Sequence, residues 1–279
     1  MRLVVDMSAL RGASFSDLRA LSEIHDLWLP EALFYEALTT GTDKNRAKCF
    51  ALIQNLARRP SITTNIGKLL ALEIQQRLPI DPVNGDWSDV TWPWKASLAD
   101  ASFDISGLFT LLTPWREEIR RGISAFVGVT NDVKVQYPSL SQFNGSGTPQ
   151  DVEYFLNDVA SRPDLIRNIY AAVSTSSDVA ANEIGPHWIA FRVFQAGFLN
   201  AIEHIRKYGD IPIGTAIPKQ VENSYMDMEY MTIATFADGI VSNDARLVHI
   251  HRKMNVETQV FRTVREALFF SCSERPLWL

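Results

Sequence analysis

Short apolar runs near both ends of the chain predict buried strands that alternate with helices. Near the N-terminus one run covers residues 3–5 and ends at Asp6, and a second covers residues 26–29. Apolar residues then recur at helical spacing, first after Ser16, which we predict to be an N-cap. They recur again after Pro30, whose missing N–H costs nothing in a first helical turn. This succession predicts a layered α/β fold.

The middle of the chain shows helical spacing without apolar runs typical of strands. Residues 81–94 are rich in proline and tryptophan, which predicts a loop. The tryptophans are Trp87, Trp92 and Trp94. The periodicity on both sides of this loop predicts helices over residues 43–56, 66–78, 115–127, 149–160, 164–173 and 186–208. We therefore expect a mainly helical middle segment.

From Ile211 onwards the alternation of strands and helices resumes. The pattern predicts helices over residues 224–237, 245–254 and 263–270, and strands over residues 240–241 and 259–261. Because the α/β pattern at both ends flanks a helical middle, the sequence predicts one discontinuous domain with an insertion. The domain covers residues 1–78 and 211–279, and the mainly helical insertion covers residues 79–210.

Composition and charge narrow the classes of partner. The 279 residues are 46% hydrophobic and 21% charged, which is ordinary for a globular protein. A net charge of −5 supplies no global positive field, so contact with nucleic acid requires a local basic patch. Cys49 and Cys272 form neither a metal-ligand spacing nor a disulfide framework, which favours a cytoplasmic setting. No stretch resembles a membrane span or a signal peptide, so we expect no membrane partner.

Two acidic residues lie in the N-terminal α/β segment. Asp6 ends the first strand, at the edge where ligands bind in open α/β sheets, and Ser8 follows two residues later. Both side chains could instead satisfy backbone groups of a turn. Glu36 has aromatic and aliphatic neighbours on its helix, where an inward charge needs a partner, although helical spacing also permits a solvent-facing position.

Two further acids lie in the C-terminal segment, and each has a structural alternative. Asp227 follows Ser224 by three residues, which has the form of a capping box. Asp244 precedes the helix that begins at Ala245, where an N-cap belongs. Each acid can be explained by itself, so their joint arrangement is the more informative feature.

The segments around these acids resemble the PIN-domain nuclease family. The run Leu3-Val4-Val5-Asp6-Met7-Ser8 looks like the family's first motif, and the segment from Pro30 to Glu36 is similar to its second. Residues 227–244, which include Asp227 and Asp244, resemble its third and fourth motifs joined, and this block is the most specific. The resemblance covers about half of the chain, residues 1–78 and 211–279. It implies a three-layer α/β fold with a central, mostly parallel sheet.

The resemblance also implies a metal-dependent nuclease, and first of all an endoribonuclease that hydrolyses single-stranded RNA. Asp6 and Asp244 would be the principal ligands of Mg²⁺ or Mn²⁺, Asp227 would complete the shell or bind a second ion, and Glu36 would hold the attacking water. Ser8 and Ser242 would support the ligands with their hydroxyls. Carboxylates gathered in one cleft repel each other unless cations bridge them, and hard oxygen ligands prefer these two ions.

The substrate and the partners stay open at this stage. More than half of the chain separates Glu36 from Asp227, far more than in a plain PIN domain. Single-stranded DNA is an alternative substrate, and an antitoxin or other regulatory protein and a homodimer are the partners that a toxin-like PIN protein would have. The tryptophans at residues 87–94 could stack bases or anchor the insertion, and Arg58 and Arg59 could follow a phosphate backbone or form a solvated helix face.

Two other functions compete with the nuclease hypothesis. A phosphohydrolase of the haloacid-dehalogenase type also begins with a strand that ends in Asp, but that family has a second Asp where Ser8 stands. A non-catalytic PIN-like module would use the insertion as a protein-binding surface. The retained acids argue against such a module, because a scaffold has no need to bear their mutual repulsion.

Overall fold

The computed structural model describes residues 1–39, 42–83, 92–111, 113–143, 145–175, 178–211, 218–254 and 256–273. Trp87 of the predicted tryptophan cluster lies outside these residues.

A parallel sheet forms the centre of the protein. Within the described residues it has five strands, β1 (Arg2–Val5), β2 (Asp26–Pro30), β3 (Ser61–Thr63), β4 (Gly239–Val241) and β5 (Gln259–Phe261). They are ordered β3-β2-β1-β4-β5 and every pairing is parallel. The central strand β1 pairs on both sides, and its Val4 is in register with Trp28 and Ile240. The two ends of the chain therefore build one sheet.

The inner strands form because their apolar side chains are covered on both faces. Leu3, Val4 and Val5 are completely buried, as expected for parallel strands enclosed by helices. Gly239 allows β4 to approach closely, since a Cβ at this position would lie 2.7 Å from the Leu3 side chain. The short edge strand β3 was not predicted, because Ser61–Thr63 places one apolar residue between two hydroxyl residues and gives no apolar run.

Helices cover the sheet. In chain order the described helices are α1 (Met7–Gly12), α2 (Phe15–Ile24), α3 (Glu31–Thr39), α4 (Asp43–Gln54), α5 (Ile66–Gln76), α6 (Ser106–Leu111), α7 (Thr113–Gln136), α8 (Pro149–Ser161), α9 (Pro163–Val173), α10 (Ile189–Tyr208), α11 (Lys219–Ala234), α12 (Ala245–Lys253) and α13 (Val264–Ser273). Helix α13 packs against α2, and helix α10 packs against α5, α11 and α12. This arrangement confirms the predicted α/β fold with a parallel sheet and a helical insertion.

Two predicted helix starts are wrong. Ser14 rather than Ser16 caps α2, and its hydroxyl accepts a hydrogen bond from the Asp17 amide at 3.1 Å. Ser224 is an interior residue of α11, which begins at Lys219. It is buried, and its Oγ lies 3.0 Å from Nδ1 of His204. The capping box that offered a structural explanation for Asp227 is therefore absent.

The long helix α10 links the middle of the chain to the sheet region. Its buried residues, among them Phe198, Leu199 and Ile202, belong to the same hydrophobic cluster as Leu3 of β1. The division into a domain and an insertion stays a prediction, but α10 carries the end of the middle segment to the carboxyl edge of the sheet. No helix in the described part of the chain has both the length and the apolar character needed to cross a bilayer.

Candidate acidic site

A cavity of about 430 Å³ opens where the strand order reverses, between β1 and β4. Ligands of open α/β sheets bind at such a switch point, outside the carboxyl ends of the strands. The four predicted acids all line this cavity: Asp6, Glu36, Asp227 and Asp244. The cavity also contains basic side chains in equal number, namely Arg11, Lys207, Lys219 and Arg246. The structure thus brings the predicted acids to one place and surrounds them with cations.

Asp6 is both a helix cap and a cavity residue. Its carboxylate accepts hydrogen bonds from the Ala9 amide at 2.7 Å, from Ser8 Oγ at 2.9 Å and from Ser242 Oγ at 2.6 Å. Burial raises the pKa of this carboxyl, the charge of Asp244 raises it further, and the three hydrogen bonds oppose the rise. Asp6 therefore has the predicted role in the turn, and it also lines the cavity.

Two serines join the ends of β1 and β4. Ser242 donates to Asp6 and accepts from the Asp244 amide at 3.1 Å, so one hydroxyl connects the two acids. Ser8 donates to Asp6 and accepts from the Asn243 amide at 2.8 Å. Both serines therefore contact Asp6, and their predicted role in supporting metal ligands stays a prediction.

Glu36 faces the cavity from α3. Its carboxylate accepts a hydrogen bond from the Tyr230 hydroxyl of α11 at 2.7 Å. Burial raises the pKa of Glu36 to about 7, the charge of Asp6 adds to the rise, and the Tyr230 hydrogen bond and the charge of Arg11 oppose it. A carboxyl with a pKa near 7 can accept or release a proton at neutral pH.

Asp227 and Asp244 are both engaged with α12. Asp227 lies one helical turn before Tyr230 on α11, and its carboxylate forms an ion pair with the Arg246 guanidinium. Asp244 is the N-cap of α12, where its Oδ1 accepts from the amides of Arg246 at 2.7 Å and Leu247 at 3.1 Å. The predicted capping role of Asp244 is confirmed, and the same side chain lines the cavity.

The basic residues of the cavity were not singled out from the sequence. Arg11 follows Ser8 by three residues on α1, and Arg246 follows Asp244 by two, so both lie close in sequence to a predicted site residue. Lys207 and Tyr208 come from the end of α10, and the Lys207 ammonium lies 5.0 Å from the centre of the Tyr208 ring. Only the packing of α10 brings this pair to the cavity. By contrast, Arg59 lies over Trp94 at 5.3 Å and does not line this cavity.

The donor set suits a hard divalent cation, although its members are not gathered around one point. Carboxylates and hydroxyls are the oxygen ligands that Mg²⁺ and Mn²⁺ prefer, and the cavity offers both. In the part of the chain that the structure describes, no three acidic, histidine or cysteine side chains are placed to hold an ion together. Asp227 is instead engaged in the ion pair with Arg246.

Family models, curated proteins and solved structures give no match to this chain. The PIN resemblance therefore rests on the segments quoted above.

Proposed function

We propose that the protein is a metal-dependent nuclease of the PIN type that hydrolyses phosphodiester bonds of single-stranded RNA. The observation that carries this proposal is the meeting of four carboxylates and four basic side chains in one cavity at the switch point of the sheet. Acids gathered in this way attract divalent cations, and basic side chains beside them attract a phosphodiester anion. The cavity therefore has a place for each partner of the reaction.

In the proposed reaction, Asp6 and Asp244 would hold the cation, and the hydroxyl of Ser242 would fix their positions. When bound, Mg²⁺ or Mn²⁺ lowers the pKa of water and offsets the charge that develops on the phosphate. Glu36 accepts a proton from the attacking water, for which its pKa of about 7 is well matched. The water oxygen forms a bond to phosphorus, the bond from phosphorus to the leaving sugar oxygen breaks, and solvent returns a proton to that oxygen.

Two side chains at the rim of the cavity, Lys207 and Tyr208, favour a nucleic acid as the substrate. Tyr208 is 39% exposed and lies beside Lys207, so a base can stack on the ring while the ammonium contacts a phosphate. RNA rather than DNA follows from the PIN resemblance alone. The same resemblance gives the toxin-like role, the antitoxin or other regulatory partner, and the homodimer. A cytoplasmic location belongs to the proposal too, and the buried free thiol of Cys49 is compatible with it.

The test is cleavage of labelled single-stranded RNA and DNA in the presence of Mn²⁺ by the wild type, Asp6→Asn and Asp244→Asn. Asn caps a helix about as well as Asp, so both variants remove the charge and keep the cap. We expect cleavage to fall by more than roughly 100-fold, since changing a residue that only supports a metal ligand already costs about 10- to 100-fold. Asp151→Asn serves as control, because Asp151 closes a capping box on α8 outside the cavity.

Equal cleavage by the wild type and both cavity variants would contradict the proposed role of the acids. A wild type that cleaves neither substrate and binds no Mn²⁺ would favour the non-catalytic interaction module instead. Preference for DNA over RNA would correct the substrate and leave the site unchanged.

A further inference from the structure

Arg246 contacts three side chains next to the cavity, those of Asp227, Ser224 and Asn200. One guanidinium nitrogen pairs with Asp227, and another donates to Ser224 Oγ at 3.1 Å and Asn200 Oδ1 at 3.4 Å. The side chain is only 13% exposed, yet it lines the cavity. One edge of the guanidinium is thus anchored on α10 and α11, and the other edge meets an acid that is predicted to bind metal.

The Arg246 guanidinium and a bound metal ion would compete for the carboxylate of Asp227. Asp227 cannot give its oxygens fully to a cation while Arg246 holds one of them. Conversely, Arg246 cannot lose Asp227 without a replacement, because a largely buried charge left unpaired is costly. A phosphodiester supplies that replacement, since its two non-bridging oxygens match the fork of a guanidinium.

The charge balance of the cavity leads to the same conclusion. Acidic and basic side chains are equal in number, so in the metal-free cavity the acids offset most of the positive charge that an anionic substrate would meet. A divalent cation on the acids would satisfy their charge and leave the basic side chains available to the phosphate. The metal ion would then bind before the substrate, because the ion frees the basic side chains to contact the phosphate.

We propose that Arg246 is an exchange residue: it pairs with Asp227 in the metal-free protein and turns to the substrate phosphate when Asp227 turns to the metal ion. This inference rests on the proposed nuclease function. The anchors on Ser224 and Asn200 allow the exchange with a small movement, because only the outer edge of the guanidinium changes partner. His204 holds Ser224 Oγ from the other side at 3.0 Å, and it thereby keeps the anchor in place.

The exchange makes a prediction that a purely structural arginine does not make. If Arg246 only braced the site, its removal would loosen the acids and weaken metal binding and cleavage together. If it exchanges partners, its removal frees Asp227 and removes a contact with the phosphate. Metal binding should then become tighter while cleavage becomes slower.

The experiment measures Mn²⁺ binding by calorimetry without substrate, and cleavage of labelled single-stranded RNA, for the wild type and Arg246→Met. We expect the Kd for Mn²⁺ to fall by roughly tenfold or more, because one competing positive charge is removed from the metal's neighbourhood. We expect the cleavage rate to fall by about 10²- to 10³-fold, as for the loss of one donor to a developing oxyanion.

Arg206→Met is the matched control. Arg206 is 12% exposed and pairs with Glu203 at 2.6 Å, so its burial and ion pairing resemble those of Arg246, but it does not line the cavity. We expect Arg206→Met to leave the Kd for Mn²⁺ and the cleavage rate unchanged. If Arg246→Met does not fold, Arg246→Lys keeps the charge and loses the fork, and it should bind Mn²⁺ like the wild type and cleave more slowly.

A parallel loss of Mn²⁺ affinity and cleavage in Arg246→Met, with the wild type active, would overturn the exchange and leave the nuclease proposal intact. Tighter Mn²⁺ binding with faster cleavage would also overturn it, since Arg246 would then only inhibit. A wild type that neither binds Mn²⁺ nor cleaves RNA would overturn both proposals.

Discussion

Two groups of acids lie beside α11, and they differ in what surrounds them. One group lines the cavity at the switch point and includes Asp227. The other consists of Glu31 and Glu229, which are 4% and 1% exposed and do not line that cavity. Because Glu229 is two residues from Asp227, the two side chains leave α11 in different directions.

The second group is closed by neighbouring side chains. The Asn65 amide donates to Glu31 at 2.9 Å, and the Asn65 side chain donates to Glu229. The Lys68 ammonium lies 3.7 Å from Glu31 and 3.3 Å from Glu118. These contacts connect α3, α5, α7 and α11, so the buried pair has a structural role in joining helices.

The comparison shows that a raised pKa alone does not identify a site. Burial raises the pKa of Glu31 to about 7, the same value that Glu36 has on the same helix. The cavity differs in its access to solvent, in the hydroxyls that hold Asp6 and in the basic side chains around it. Access to the cavity therefore supports a function for Glu36, and enclosure by Asn65 and Lys68 supports a structural role for Glu31.

The sharpest test of this comparison replaces one glutamate of α3 at a time. We expect Glu36→Gln to reduce the RNA cleavage rate by about 10²- to 10⁴-fold, the range that a general base contributes. Glu31→Gln changes a carboxyl of similar pKa on the same helix outside the cavity, and we expect it to keep the rate of the wild type. Rates measured at saturating Mn²⁺ decide the matter, and equal losses in the two variants would remove the distinction between the groups.

A second test asks whether the rim of the cavity receives the substrate. Tyr208→Ala should weaken binding of single-stranded RNA by about 1–3 kcal/mol, the contribution of one stacked base. Tyr154→Ala is the control, since Tyr154 is 72% exposed on α8 and does not line the cavity. Binding is measured by fluorescence anisotropy in Mn²⁺ with a non-hydrolysable RNA analogue, so that the metal ion is present and cleavage does not interfere. Unchanged affinity in Tyr208→Ala would place the substrate elsewhere.

The sheet could be predicted largely from the sequence because its inner strands are buried on both faces. The apolar runs at β1, β2 and β4 are direct signatures of such burial. The start of α11 could not be predicted, because Ser224 is of a residue type that often caps helices. Its hydroxyl instead serves as a partner to His204 and Arg246, which come from distant elements.

The acids of the cavity could be predicted because each follows a strand or lies in a helix near the strand ends. Asp6 and Asp244 are fixed by local structure, as the caps of α1 and α12. Lys207 and Tyr208 could not be predicted, since their position depends on the long-range packing of α10 against α11. This part of the cavity lining is thus a product of tertiary structure.

The smallest expected effect is on stability. The pH dependence of the free energy of unfolding should reveal the state of the closed group, Glu31 and Glu229. Burial raises the pKa of Glu229 from 4.5 to about 8, so between these values the folded chain holds a proton that the unfolded chain has released. The stability from this group is complete below pH 4.5 and is lost as the pH rises through about 8. Within that window the free energy of unfolding should fall by at most about 1.4 kcal/mol per pH unit.

Glu229→Gln should make that slope shallower, because the amide resembles the protonated carboxyl and does not titrate, while the raised pKa values of Glu31 and Glu36 still contribute. Urea unfolding at pH 5, 6, 7 and 8 measures the slope in both proteins, and Asp151→Asn provides an exposed control on α8. Parallel slopes in the wild type and Glu229→Gln would show that Glu229 is ionised inside the fold. The closed group would then be charged like the acids of the cavity, and access to solvent would be the difference between the two groups.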